Sequence, residues 1–247
     1  MGGAGVVAGG SCESGFRVKA DLEQTSPGLP RPEEIAQANA QLRSCPPQEI
    51  IRWAIDRAGG RAIVSTNFRP FEAVILHLCV RVQADIPVLW VDHGYNRPAT
   101  YRHAEELRAR LGLNLKAYLP RLSAAHRDAI EGPLPATEDE ESLRRFSAAM
   151  KLEPFHRALR ELAPTVWITA LRQVQSPGRA ELDIVTREAD IGLLKVNPVF
   201  YWDDADMEGY LRAHDLPNEW DYFDPAKAAD KRECGLHAAW GRAPDLR

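Results

Sequence analysis

Residues 61–92 read RAIVSTNFRPFEAVILHLCVRVQADIPVLWVD, and the fold is decided there. The run RAIVSTNF is a short apolar strand that ends in the small polar residues Ser65, Thr66 and Asn67. Behind it, Phe71, Val74, Ile75, Leu78 and Val82 recur at helical spacing, which gives a helix one apolar face. DIPVLWVD is then a second buried strand. A strand, a crossover helix and another strand make a parallel pair, because parallel neighbours need a long connection between them.

The alternation extends in both directions. Upstream, RPEEIAQANAQLRSCPPQEIIRWAIDRAGG reads as two short helices, broken at Pro46-Pro47 and stopped by Gly59-Gly60. Downstream, PATYRHAEELRARLG is a helix with Tyr101, Ala104, Leu107 and Leu111 on one face. LNLKAYLP is a third strand, EPFHRALREL a helix and TVWITALR a fourth strand. Residues 119–150 are polar and acidic, expected as loop and short helix. QVQSPGRAEL turns about its Ser-Pro-Gly core, and DDADMEGYLRAHDLP is a helix capped by Asp203 or Asp204 and stopped before Pro217. The expectation is an α/β fold, a parallel twisted sheet flanked by helices.

Composition narrows the function classes. At 247 residues the chain suits one large domain or one domain with appendages, and 45% apolar with 27% charged residues is ordinary for a globular protein in water. A net charge of −4 argues against a nucleic-acid partner. No apolar run approaches the ~18 residues of a membrane span. The first 30 residues, rich in Gly, Ser and Pro, carry no basic segment ahead of an apolar core; they read as a disordered leader, not an export signal. Cys12, Cys45, Cys79 and Cys234 lie far apart, without CxxC or Cys/His spacing, so neither a metal site nor a disulfide framework is expected. A reduced, cytoplasmic setting follows.

In an open parallel sheet, ligands bind beyond the carboxyl ends of the strands. Three strands end in polar turns: STNFRP, DHGYNRP and RQVQSPGR. Backbone N–H groups around Ser65, Thr66 and Asn67 suit an anion, or the same residues cap the next helix. Asp92 suits a ribose or a capping role; Arg172 and Arg179 suit a phosphate or sulfate, or surface salt bridges. His77, on a core-facing helix, reads as a packed histidine and Cys79 as inert core. Cys234 stands apart in KAADKRECGLHAAW: Lys231, Arg232 and His237 around it favour a reactive thiolate, with Glu233 opposing.

These residues carry a resemblance. KRECGLH resembles the C-terminal ECG-[IL]-H signature of the 3'-phosphoadenylylsulfate (PAPS) reductases. Other pieces fall in that family's order: STNFRPFEAV is similar to S-x-SFG-x-QAAV, DIPVLWVDHGYNRPATYRHAEEL to IPV…DTGY…PETY…EL, and KLEPFHRAL to K-x-EP-x-x-RAL. WITALRQVQSPGRAEL is similar to W-x-x-GLRR-x-QS-x-x-RA-x-L, and KVNPVFYWD to K-x-xP-x-x-DW. The likeness runs from about Arg61 to His237.

The resemblance implies an adenine-nucleotide α-hydrolase-like fold: a nucleotide-binding reductase domain at 31–216 and a mobile C-terminal segment at 217–247 carrying Cys234. It implies reduction of PAPS to sulfite and adenosine 3',5'-bisphosphate, with thioredoxin or glutaredoxin as reductant. Cys234 is then the catalytic nucleophile, passing through an S-sulfocysteine. Ser65, Thr66, Asn67, Asp92, Arg172, Arg179, Arg232 and His237 are then the substrate-binding residues, and a homodimer is common in the family.

A branch of the family that acts on adenylylsulfate (APS) holds a [4Fe–4S] cluster on a CC…CxxC pattern. The CC pair falls here on Phe146 and Ser147 and the CxxC is missing, so no cluster and no metal are expected. Several positions depart from the patterns: Asn67 and Arg69 replace the Ser and Gly of SFG, His93 replaces the Thr of DTGY, Ala170 the Gly of GLRR and Gln173 its second Arg. Arg69 is the candidate to supply the charge lost at Gln173. The segment from Trp202 to Cys234 also lacks the usual G-Y-x-S-x-G-D block. The alternatives are a cluster-free APS reductase and a nucleotide-binding relative without turnover.

Overall fold

The computed structural model describes residues 29–136 and 139–225. Arg232, Cys234 and His237, and the leader through residue 28, lie outside the described residues. The chain forms α1 (Pro32–Leu42), α2 (Pro47–Ala58), β1 (Ala62–Thr66), α3 (Glu72–Val82), β2 (Pro87–Val91), α4 (Pro98–Leu111) and β3 (Asn114–Tyr118). There follow α5 (Ala124–Glu131), α6 (Glu140–Ser147), α7 (Glu153–Leu162), β4 (Val166–Ile168), β5 (Val185–Glu188), β6 (Leu193–Val196) and α8 (Asp204–Ala213). Proline and glycine set several ends. Pro47 and Pro98 occupy first turns of α2 and α4, where a missing N–H costs nothing, and Gly59 and Gly112 close them in the left-handed region (φ 55° and 63°). Of the two aspartates expected to cap α8, Asp203 does so, accepting from the Asp206 N–H at 2.9 Å.

The six strands lie in the order β3-β2-β1-β4-β6-β5. The β1, β2, β3, β4 and β6 neighbours pair in parallel, while β5 runs antiparallel to β6. The expectation of a parallel sheet flanked by helices is met over five strands and corrected at one edge. β5 and β6 were not expected: each has four residues, and Thr186, Arg187 and Glu188 make β5 polar. Gly192 (φ 68°) joins the pair through a short turn, so no crossover helix announces it in the sequence.

Strand residues alternate between two cores, as a twofold side-chain repeat requires. Val64, Val88, Trp90, Val166 and Ile168 face the larger core under α2, α3 and α4. Ile63, Leu89, Val91 and Trp167 face the other, where Phe155 and Ala158 of α7 cover them. From β1 the chain runs outward to β2 and β3, then returns to place β4 on the other side of β1. The chain therefore leaves the carboxyl ends of β1 and β4 in opposite directions along the sheet, and a crevice opens between the two connections. No helix among the described residues is long and apolar enough to cross a membrane.

Candidate functional site

A cleft occupies that switch point. Ser65, Thr66 and Asn67 line it from the end of β1, Leu89 and Val91 from β2, and Thr169, Ala170 and Leu171 from the end of β4. Phe155 of α7 closes its base, and Tyr222 and Asp224 reach in from the segment after α8. The enclosed space left between them is about 20 Å³, room for about one water.

In the β1–α3 turn the polar groups find partners within the chain. The turn is neither an open anion cradle nor a simple cap on α3. Glu72, the first residue of α3, folds its carboxylate back onto the turn. Oε2 accepts from the Thr66 hydroxyl at 2.8 Å and from the Asn67 N–H at 2.7 Å, and Oε1 accepts from Arg69 Nε at 2.9 Å. The Phe68 N–H donates to Thr66 Oγ1 at 2.9 Å, and the Phe71 N–H to Asn218 Oδ1 at 2.8 Å. Ser65 Oγ accepts from the Trp167 indole at 2.8 Å. Arg69 thus has its charge matched by Glu72 and does not simply stand in for an arginine at 173. The turn takes its left-handed residues at Phe68 (φ 53°) and Phe71 (φ 71°), costing roughly 1–2 kcal/mol each. Burial offsets this: Phe68 is fully buried edge-on to Trp90, with ring centres 5.0 Å apart.

Asp224 brings to the cleft a buried lysine that the sequence alone does not place in the site. Between α6 and α7 the helix loosens into a π-turn, Ala148–Leu152, an irregularity common at functional sites. Lys151 sits in that turn with its side chain 3% exposed, and Asp224, 2% exposed, meets it with both carboxylate oxygens at 2.8 Å. A lysine is almost never this buried without an anion. That rule was the available signal, but the partner lies 73 residues away and no local spacing reveals it.

Asp224 ends a strap, residues 214–225, that crosses the rim without regular structure. Its other anchors include Arg110 on Asp215 at 2.8 Å, Asn218 on the Phe71 N–H, Trp220 stacked edge-on to Phe71 at 5.2 Å, and Asp221 ion-paired with Arg97. The Arg97 guanidinium also lies 5.8 Å from the Phe223 ring. His93, at the end of β2, is buried near Lys151 and Asp224. Its Nδ1 accepts from the Tyr95 N–H at 3.1 Å, so Nε2 carries the proton of the neutral ring. Burial, then the charge of Lys151, push its pKa down to about 4, against smaller opposing effects of Asp224 and Asp92.

The remaining expected residues divide. Asp92 organises its own turn: Oδ1 accepts from the Gly94 N–H, Asn96 Nδ2 and the Tyr101 hydroxyl at 3.0, 2.9 and 2.8 Å. Gly94 (φ 78°) has no room for a side chain there, because a Cβ would lie 3.1 Å from that of Ala124. Arg172 and Arg179 do come together, with Arg179 Nη1 donating to the Arg172 carbonyl at 3.3 Å. Both are buried, not on the surface. Arg172 lines a second, open depression with Phe71, Val174 and Gln175, pairs with Asp204 at 2.7 Å, and lies 5.3 Å from the Phe71 ring. Neither arginine lines the cleft. His77 packs as expected, half-buried against Tyr210, and burial drives the Cys79 thiol pKa far up, leaving it inert.

Comparison with known proteins gives this geometry a family. The phosphoadenosine phosphosulfate reductase domain matches residues 61–220. A phosphoadenosine 5'-phosphosulfate reductase of Synechococcus sp. is 37% identical over 226 residues, covering 82% of this chain and 97% of that protein. One from Synechocystis sp. is 36% identical, covering 83% and 90%. Among solved structures, the PAPS reductase of Candida auris, a phosphate complex, superposes with a TM-score of 0.67 at 25% identity, over 76% of this chain and 89% of the other. With the domain spanning the sheet, the cleft and most of the strap, this chain belongs to the phosphoadenosine phosphosulfate reductase family.

Proposed function

We propose that this chain reduces PAPS to sulfite and adenosine 3',5'-bisphosphate, with Cys234 as nucleophile and a thioredoxin or glutaredoxin dithiol as reductant. The names of its full-length relatives support the reaction. The observation that carries the role of Cys234 is geometric. Asp224 lies inside the cleft at the switch point, and Cys234 follows it by only ten residues. Ten residues span at most roughly 33–36 Å, so the thiol stays within reach of whatever the cleft holds.

The chemistry then runs in two displacements. The Cys234 thiolate attacks the sulfonate sulfur, an S–S bond forms, and the bond from that sulfur to the bridging phosphate oxygen breaks. Adenosine 3',5'-bisphosphate leaves with the electron pair, and the enzyme holds an S-sulfocysteine. A reductant thiolate next attacks Sγ of Cys234 and expels sulfite, forming a mixed disulfide. The reductant's second thiol resolves it, so the reductant becomes a disulfide and Cys234 returns as thiolate. Lys151, with Asp224 displaced, offers a buried ammonium to the departing phosphate. Arg232 and His237, two and three residues from Cys234, travel with it as anion contacts.

No iron–sulfur cluster enters this scheme. At the two positions of the paired cysteines stand Ser147 and Phe146, whose ring packs between Tyr95 (5.5 Å) and the Arg127 guanidinium (5.0 Å) and offers no ligand. A cytoplasmic location and a homodimer complete the reading.

The test is incubation with PAPS or APS without reductant, followed by mass spectrometry of the peptide carrying Cys234. A sulfonate adduct from PAPS alone is expected. An adduct from APS shifts the substrate. The closed cleft favours a second reading, a relative that binds nucleotide without turnover, and absence of any adduct selects it.

A further inference from the structure

Glu72 belongs to the cleft but has no part in the scheme above, and its position gives it one. Its carboxylate fills the place where a strand–helix turn would hold a ligand phosphate. Its three donors are the Asn67 N–H, the Thr66 hydroxyl and Arg69 Nε, all within 2.9 Å. The side chain is 7% exposed, so water does little to screen it. Arg69 and Glu72 stand where the pattern S-x-SFG-x-QAAV has Gly and Ala, and they touch; the two departures form one feature.

We infer that Glu72 is a specificity-determining residue, a built-in carboxylate that keeps a ligand's terminal phosphate off the β1–α3 turn and so disfavours nucleoside triphosphates. A γ-phosphate that took the Asn67 N–H would have to displace Glu72 or lie against it, with the loss of three hydrogen bonds or a direct like-charge contact. A substrate whose anions bind at Lys151 and on the tail pays neither cost. The inference rests on the cleft being the nucleotide site, as proposed above. A purely structural role, helping the first turn of α3 as acidic residues do, predicts no change in ligand choice.

The test compares affinities of ATP, AMP and adenosine 3',5'-bisphosphate by calorimetry on the full chain. The wild-type protein is expected to bind ATP no more tightly than AMP. In Glu72→Gln, which keeps an acceptor for Asn67 but removes the charge, the ratio of ATP to bisphosphate affinity is expected to rise at least about tenfold. Arg69→Ala with Glu72→Ala empties the position without changing net charge, and the same rise is expected. Wild-type preference for ATP over AMP by tenfold overturns the inference, even if neither variant folds. An unchanged ratio in folded variants overturns it as well. Failure of the bisphosphate to bind the wild type removes the nucleotide reading of the cleft itself, a separate and recognisable result.

Discussion

At the rim of the sheet, Thr66, Asn67 and Arg69 find their partner in Glu72, three to six residues along the chain. In the strap the separations are of another order: Lys151 pairs with Asp224 across 73 residues, Arg97 with Asp221 across 124, and Phe71 with Asn218 across 147. Local partners sit on elements already fixed by the core, so the rim is formed before any ligand arrives. The strap has no regular structure and is held by separate long-range side-chain contacts instead of a backbone ladder, the kind of segment that opens locally. On the proposed function the rim receives the nucleotide and the strap yields to admit it, with Cys234 on the chain beyond the strap. Each prediction below puts that division at risk.

The largest effect is expected from Cys234→Ser. Sulfite release should fall by ~10³-fold or more, as when a covalent nucleophile is removed, while bisphosphate binding survives on the rim. Retained sulfite release would mean that the chemistry sits on the sheet after all.

A smaller effect belongs to His93, a rim residue. The unfolded chain takes up a proton on this ring as pH falls through about 6.5, whereas the folded one resists until about 4. Its folded pKa is depressed, so the unfolded state binds more protons in that window and stability falls as pH drops from 6.5 to 4. The loss is on the order of 3 kcal/mol at the lower end. Urea denaturation at pH 7, 5.5 and 4.5 reads it, and His93→Asn, which does not titrate, should flatten the curve. Equal slopes in the two proteins would place the ring in contact with water.

Asp224→Ala distinguishes a latch from a fixed support. Removing one partner of a rigidly buried pair costs about 3–5 kcal/mol, because the other charge stays stranded. If the strap peels away, water reaches Lys151 and the measured cost in urea falls well below that range. Faster nucleotide association should accompany it, since Asp224 no longer has to be displaced. A loss at the full value, with unchanged association, would make the strap part of the rigid body.

The same division explains what the sequence makes legible. Strands β1 to β4 and the helices between them follow from apolar runs, helical spacing and Pro or Gly at the ends, all local signals. The β5–β6 pair escapes because four-residue strands with polar side chains produce no clear period. Ser65, Thr66 and Asn67 line the cleft, as their place at a strand's carboxyl end suggests. Glu72 and Lys151 escape because each reads locally as an ordinary charged helix residue, and only the folded chain shows where its charge points. Arg172 and Arg179 meet around one turn, as their spacing suggests, but neither lines the cleft, a matter of side-chain packing that spacing does not encode.

The smallest effect tests the strap's hold on the rim directly. Asn218 is the strap residue that accepts the Phe71 N–H, at the left-handed position heading α3. Its replacement by Ala leaves that donor to water and should cost about 1 kcal/mol, as the loss of a helix-capping side chain does. For a chain of this size the melting temperature should fall by about 2–4 °C. Because Glu72 still holds Thr66 and Asn67, the ratio of ATP to bisphosphate affinity should not change, whereas nucleotide association should quicken as the strap loosens. A change in the ratio would show that strap and turn act as one unit, and the contrast between a preformed rim and a movable strap would then fail at the residue where the two meet.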